Sequence, residues 1–232
     1  MALYTISDLH LPLGVDKPMD IFGSAWANYV ERLRDNWQSV VKSGDTVVLG
    51  GDFSWATYLD EAKADFEFLN ALNGRKILLK GNHDYWWETA SKLNKYVAAD
   101  GWENIFFLHN NFFEADGTVI CGTRGWSVPV GNTSDEDKKM YSRELGRLKM
   151  SINAARKAAG ELVVFLHYPP LLKDYRDNEM TALLENEGIK RCFYGHIHKT
   201  GAKNAFEGEH RGVEYRLCAC DYLGFMPIKV AD

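Results

Sequence analysis

The chain has 232 residues, 46% of them hydrophobic, 25% charged and 13% aromatic, which suffices for one sizeable core and excludes an unstructured chain. With 27 basic and 32 acidic side chains the formal net charge is −5, which disfavours a general binder of DNA or RNA, because phosphate neutralisation dominates that affinity. No stretch is apolar over about 18 residues, and the start lacks the basic opening and apolar run of a signal peptide, so no membrane span is expected and the cytoplasm is the expected compartment.

Residues 3–7 form a short apolar run that reads as a buried strand. Trp26, Tyr29, Val30, Leu33, Trp37, Val40 and Val41 then recur at helical spacing, with Ser24 as the expected N-cap and Gly44 as the stop. A second strand is expected at 46–49. Leu59, Ala62, Phe66, Leu69 and Leu72 give a second helix ending at Gly74, followed by a strand at 76–79 and a third helix over 86–98. Asp116-Gly117 is a two-residue turn signal between runs 112–115 and 118–121, predicting a hairpin. Ser134 and Asp137 open a fourth helix running to about Ala159. Strands at 162–166 and 191–194 bracket a short helix over 181–187, and 203–206 with 213–220 suggest a closing hairpin. The pattern is parallel early and antiparallel late, in one domain over residues 1–232 with no linker or repeat. It points to a layered α/β sandwich. Cys121, Cys192, Cys218 and Cys220 lie in apolar runs and read as buried free thiols; one Cys-x-Cys pair is a weak zinc signal.

The polar residues that follow these strands carry the chemistry. Asp8-x-His10 follows the first, Gly51-Asp52 the second, Gly81-Asn82-His83-Asp84 the third, His167 the fourth and Gly195-His196-x-His198 the fifth. Sites in open α/β sheets form at the carboxyl ends of the strands, so these residues are expected to converge. Five of the seven histidines fall in these segments; His109 and His210 do not and read as surface or satisfied core residues. Imidazole, carboxylate and amide oxygen without thiolate suit Mn, Fe, Co, Ni or Zn.

Taken together, these motifs resemble the calcineurin-like metallophosphoesterases. The resemblance implies a four-layer αββα sandwich of two mixed sheets flanked by helices, with a binuclear centre and a bridging hydroxide acting on phosphoesters. By motif, Asp8, His10 and His198 would hold one metal and Asn82, His167 and His196 the other. Asp52 would bridge them, His83 would face the substrate phosphate, and Asp84 would orient His83. Two such metals sit about 3.5–4 Å apart and clamp the attacking and leaving oxygens. Two divalent ions less two carboxylates and a hydroxide leave a charge of about +1, matched to a phosphate anion on an acidic protein. Phe53-Ser54-Trp55 follows Asp52 where protein phosphatases carry Asp-Arg-Gly, and His83 stands where lipid A-pathway hydrolases carry Arg. The Gly-His-x-His ending resembles the small phosphodiesterase branch, although Phe53-Ser54-Trp55 departs from its cyclic-nucleotide members.

Around the motifs, Tyr85, Trp86 and Trp87 read as core packing at a helix start, with an aromatic wall for the substrate as the alternative. Arg124 is placed either to contact phosphate or to form a salt bridge, and Tyr168 either reaches the pocket or stacks on Pro169-Pro170. The loop 127–137 is a partial cap or a solvated face. The expected partner is a small phosphorylated substrate. A nuclease or phosphomonoesterase of the same superfamily, a non-catalytic scaffold with the same fold and a mononuclear zinc hydrolase are the alternatives. The scaffold is disfavoured because every motif position is filled, and the mononuclear site because it leaves half of the ligands unused.

Overall fold

The computed structural model describes residues 1–199 and 201–230. Its first half runs β1 (Leu3–Ile6), α1 (Tyr29–Val40), β2 (Thr46–Leu49), α2 (Lys63–Ala71), β3 (Arg75–Leu78), α3 (Ala90–Ala99) and β4 (Ile105–Phe107). The second half runs β5 (Phe113–Ala115), β6 (Thr118–Thr123), α4 (Asp135–Ala155), β7 (Glu161–Leu166), α5 (Glu179–Asn186), β8 (Arg191–Tyr194), β9 (Gly208–His210), β10 (Val213–Leu217) and β11 (Ile228–Lys229). Among the described residues these strands make a five-stranded sheet, ordered β11-β1-β2-β3-β4, and a six-stranded sheet, ordered β5-β6-β7-β8-β10-β9. The central strands of both are parallel, and β11, β5 and β9 pair antiparallel at the edges.

Alternation along the strands sets the layers. On β2, Val47 and Leu49 join the cluster that also holds Leu33 and Trp37 of α1, Phe66 of α2 and Leu93 of α3. On β7, Val164 and Leu166 pack with Leu148 and Ile152 of α4 and Leu184 of α5. The opposite faces meet: Val48, Ile77, Ile120, Val163, Phe165 and Phe193 form one cluster between the two sheets. The fold is therefore the expected four-layer αββα sandwich. A bridge between Ser7 and Ala219 joins the sheets where β1 and β10 end.

Several expected boundaries move. Ser24 does not cap α1; Ser24–Trp26 is a short 3-10 turn, and Asn28, left-handed at φ 49°, precedes the helix. Trp26 leaves the helical stripe because its ring turns edge-on to His198, 5.8 Å away. Helix α1 stops at Val40, before Gly44, as Val41 turns extended into the core. Helix α3 begins at Ala90, capped by Thr89, rather than at Trp86, because Asp84–Trp87 forms a turn that sends the Trp86 indole N–H to the Asp84 carboxylate at 3.0 Å. Ser134 caps α4 as expected, but the helix ends at Ala155. The hairpin around Asp116-Gly117 forms. The last hairpin arm is β9, not 203–206, which overlaps the 3-10 turn Ala202–Asn204; β10, paired with β9, also runs parallel to β8. All four cysteines are buried and free.

Candidate metal centre

Six loops meet where β1, β2, β3, β7, β8 and β10 end. Asp8 and His10 follow β1, Asp52 follows β2, Asn82 and His83 follow β3, His167 follows β7, and His196 and His198 follow β8. The expected ligands come together. Asp8, His10 and His198 form one group able to hold a cation, and Asp8, Asp52 and His167 form another. Asn82 Oδ1 lies 2.6 Å from His167 Nε2 and 2.9 Å from His196 Nδ1. Asp52 Oδ2 stands 3.6 Å from both His10 Nε2 and His167 Nε2, between the two groups.

Proton counting tests whether these residues fit a metal. His167 is fully buried, and burial pushes its pKa down to about 3, so the ring is neutral with one N–H. Yet both its nitrogens face oxygen acceptors, Nδ1 the Gly50 carbonyl at 3.1 Å and Nε2 the Asn82 amide oxygen at 2.6 Å. One proton cannot serve both contacts, and a cation at Nε2 resolves the conflict. On the other side, His198 Nδ1 donates to Asp221 Oδ1 at 3.2 Å, and its Nε2 faces His10 Nε2 at 3.3 Å. Burial, then His198, holds His10 neutral. The donor set fits two transition-metal positions. Among the described residues His10 Nδ1 is buried without a partner, and its ring is held instead by stacking on Trp55 at 4.5 Å.

Without cations the centre is electrostatically unfavourable. Burial, and then the neighbouring Asp52, raises the Asp8 carboxyl far above its ordinary range; burial also raises Asp52. Burial and then His167 push His196 down to about 3. His198 is the exception: burial opposes its charge, but Asp221, Asp8 and Asp52 together raise it.

Backbone strain is concentrated in the same residues. Asp8, His10, Asp52 and His196 have φ of 59°, 47°, 52° and 69°, a left-handed conformation that costs non-glycine residues roughly 1–2 kcal/mol each. Glycine is required where the loops nearly touch. A Cβ on Gly195 would stand 2.4 Å from Asp8 Oδ2, and one on Gly81 would stand 2.0 Å from Asp52 Oδ1.

Asp84 does not take the expected role. Its buried carboxylate accepts from the amides of Gly81 (2.7 Å), Asp52 (2.9 Å) and Phe53 (2.9 Å) and from the Trp86 indole, and among the described residues it has no hydrogen bond to the His83 ring. Asp84 ties the β2 and β3 loops together. His83 is instead positioned through its own amide, which donates to Asp52 Oδ1 at 2.8 Å, and by packing against Trp55 at 4.8 Å.

Asp221, absent from the sequence-based assignment, orients His198 and also accepts from the Lys199 amide at 2.9 Å. It follows β10, so the strand-end rule that found the other loops points to it once β10 is known to be parallel. Trp86 and Trp87 are core residues, whereas Tyr85 is 62% exposed beside His83. Arg124 lies 3.6 Å from Glu144 and over the Trp126 ring, the salt-bridge alternative. Tyr168 reaches the site, its ring 4.3 Å from that of His196. Ser127 and Val128, at the start of the 127–137 loop, line a second cleft beside His196. Outside the centre, His109 accepts from the Trp87 indole and His210 pairs with Asp177.

The family model for calcineurin-like phosphoesterases matches residues 1–200. None of the curated proteins matches. Among solved structures, the Aquifex aeolicus protein of unknown function AQ665 is 18% identical with a TM-score of 0.51, covering 98% of this chain and 95% of that one. The phosphopantetheinyl hydrolase PptH of Mycobacterium tuberculosis is 14% identical with a TM-score of 0.54, covering 94% of this chain and 88% of its own. TT1561 of Thermus thermophilus is 13% identical with a TM-score of 0.54, covering 98% and 96%. At such identities the three likenesses show the fold alone, but the family match spans most of the sequence and takes in every strand-end motif, so the chain belongs to the calcineurin-like phosphoesterase family.

Proposed function

We propose that the chain is a metal-dependent phosphoester hydrolase with two transition-metal ions, from among Mn, Fe, Zn, Ni and Co. Asp8, His10 and His198 hold one, Asn82, His167 and His196 the other, and Asp52 bridges them. The observation that carries this reading is the position of Asp52 Oδ2, 3.6 Å from a histidine of each group. Bound there, the ions supply Lewis acidity and an activated water. The chain's own residues orient that chemistry. Asp52 holds the His83 amide, Asp84 fixes the loop on both sides, and the His83 imidazole faces the phosphate, where it donates a proton to the leaving oxygen. The family membership and the small clefts beside the centre support a small phosphorylated substrate. A singly charged phosphodiester matches a centre of about +1 better than a dianionic monoester does. No described helix is long and apolar enough to cross a membrane.

The test combines metal analysis with one substitution. Protein purified without chelator should carry close to two metal equivalents and hydrolyse a bis-aryl phosphodiester with manganese. Asp52→Asn should lose at least one equivalent and nearly all activity. Full activity with one equivalent would sink the binuclear reading, and activity confined to monoesters would move the assignment to a phosphatase.

A further inference from the structure

Beside the His10–His198 half of the centre lies a cleft of about 350 Å³. His10, His83 and His198 lie at its floor, His10 buried, and Met19, Phe22, Trp26 and Trp55 form its walls. Beyond the Trp26 indole N–H, which has no hydrogen-bond partner among the described residues, the walls offer little hydrogen bonding. The Trp55 indole N–H is taken by Met19 Sδ at 2.8 Å, and Asp221, beside His198, is taken by His198 and the Lys199 amide. A sugar or polyol seated there would leave hydroxyls without partners, at a cost that an apolar group does not incur. Phe22 is 61% exposed and its neighbour Ile21 74%, so apolar surface is left open at the mouth. A volume above roughly 300 Å³ lies in the range that encloses organic ligands.

We propose that this cleft holds a flat aromatic ring esterified to the phosphate that His83 faces, making the substrate class phosphoesters of planar organic groups rather than sugar phosphates or inorganic polyphosphates. The inference rests on the hydrolase reading above. Aromatic walls favour a flat ring over a flexible chain, because offset and edge contacts add to the area buried. The ring sits beside the phosphate: the histidines lining the cleft are two residues of one candidate metal group and the residue assigned to the leaving oxygen.

The test compares two methyl esters with leaving groups of similar acidity, methyl phenyl phosphate and methyl hexafluoroisopropyl phosphate, on manganese-loaded protein. Only the first brings a flat ring to the cleft. Phe22→Ser should lower the ratio of their kcat/KM values about tenfold, the loss expected when roughly 50 Å² of apolar contact is given up. Met150→Ser, on the distant and half-exposed face of α4, should leave that ratio unchanged. An unchanged ratio in Phe22→Ser overturns the proposal. Phenylphosphonate should quench tryptophan fluorescence at lower concentration than methylphosphonate, and tighter binding of octylphosphonate than of phenylphosphonate would replace the ring by an acyl chain. Hydrolysis of neither ester, with ring-selective quenching retained, would defeat the hydrolase reading and leave the cleft's preference standing.

Discussion

Asp221→Asn separates the two metal positions. Asp221 is 6% exposed and uses both oxygens, Oδ1 for His198 Nδ1–H at 3.2 Å and Oδ2 for the Lys199 amide at 2.9 Å. Asparagine offers one oxygen and an NH₂, so one of the two donors must face another donor. The His198 ring then loses its fixed tautomer and orientation. Changing such a partner of a metal-binding histidine typically weakens metal affinity about 10–100-fold, or about 1.4–2.7 kcal/mol. The loss should fall on the Asp8–His10–His198 position alone, because Asn82, His167 and His196 do not touch Asp221. Competition of manganese against a fluorescent chelator should show one weakened and one unchanged site, with activity recovering at excess metal. Equal weakening of both sites, or no weakening, would refute the assignment of His198.

Three further outcomes follow from the same geometry. His83→Ala should lower turnover about 10²–10⁴-fold with metal content intact, and less for a leaving group of low pKa; rate losses equal for good and poor leaving groups would remove its role as proton donor. Metal binding should release a proton at pH 7, because burial raises Asp8 to about 8 and it must ionise to ligate, whereas Asp52, raised to about 6, is already largely ionised. Below the ordinary histidine range, about 6.5, the effect of carboxyls raised by folding is opposed by His167 and His196, which folding holds neutral, so the metal-free protein should lose stability only as pH rises from about 6.5 through about 8, where the raised Asp8 ionises. Calorimetric titrations in buffers of differing ionisation heat measure the first effect and melting of chelated protein the second; heats independent of buffer, or melting that rises over that window, would contradict the assigned ionisations.

The sequence reveals the centre because parallel strands leave their ligands at one edge, and the runs at 46–49 and 191–194 are the β2 and β8 of the structure. Asp221 escaped that logic through β10, whose alternating residues suit an antiparallel hairpin as well as a parallel neighbour of β8. Only the second pairing turns its carboxyl end towards the candidate metal centre. Asp84 misleads for another reason. Adjacency to His83 suggests a side-chain bond, but the loop curls so that the amides of Gly81, Asp52 and Phe53 converge on the carboxylate. Direction within an irregular loop is set by backbone angles, and no periodicity encodes those. Trp26 and Trp86 carry helical spacing into segments that are not helical, because packing at the site and in the core outweighs a short stretch of helix propensity.

The centre's cost to the fold explains why metal and stability should be coupled. Four of the candidate ligands are left-handed, and two carboxyls are held above their ordinary range. Each of these opposes folding of the metal-free chain and is tolerated because three apolar clusters fix the surrounding strands. Cations at the two positions would offset the repulsion between Asp8 and Asp52 while leaving the backbone strain in place. Free metal at one hundred times the dissociation constant stabilises the folded state by about 2.7 kcal/mol per site, so about 5 kcal/mol for two. At about 2–4 °C per kcal/mol for a chain of this size, chelation should lower Tm by roughly 10–20 °C. Asp52→Asn should respond to chelation by about half as much or less, since it loses at least one position. A chelator-independent Tm in the unsubstituted protein would mean that the clustered donors satisfy one another without metal, and the fit argued from the single proton of His167 would be wrong.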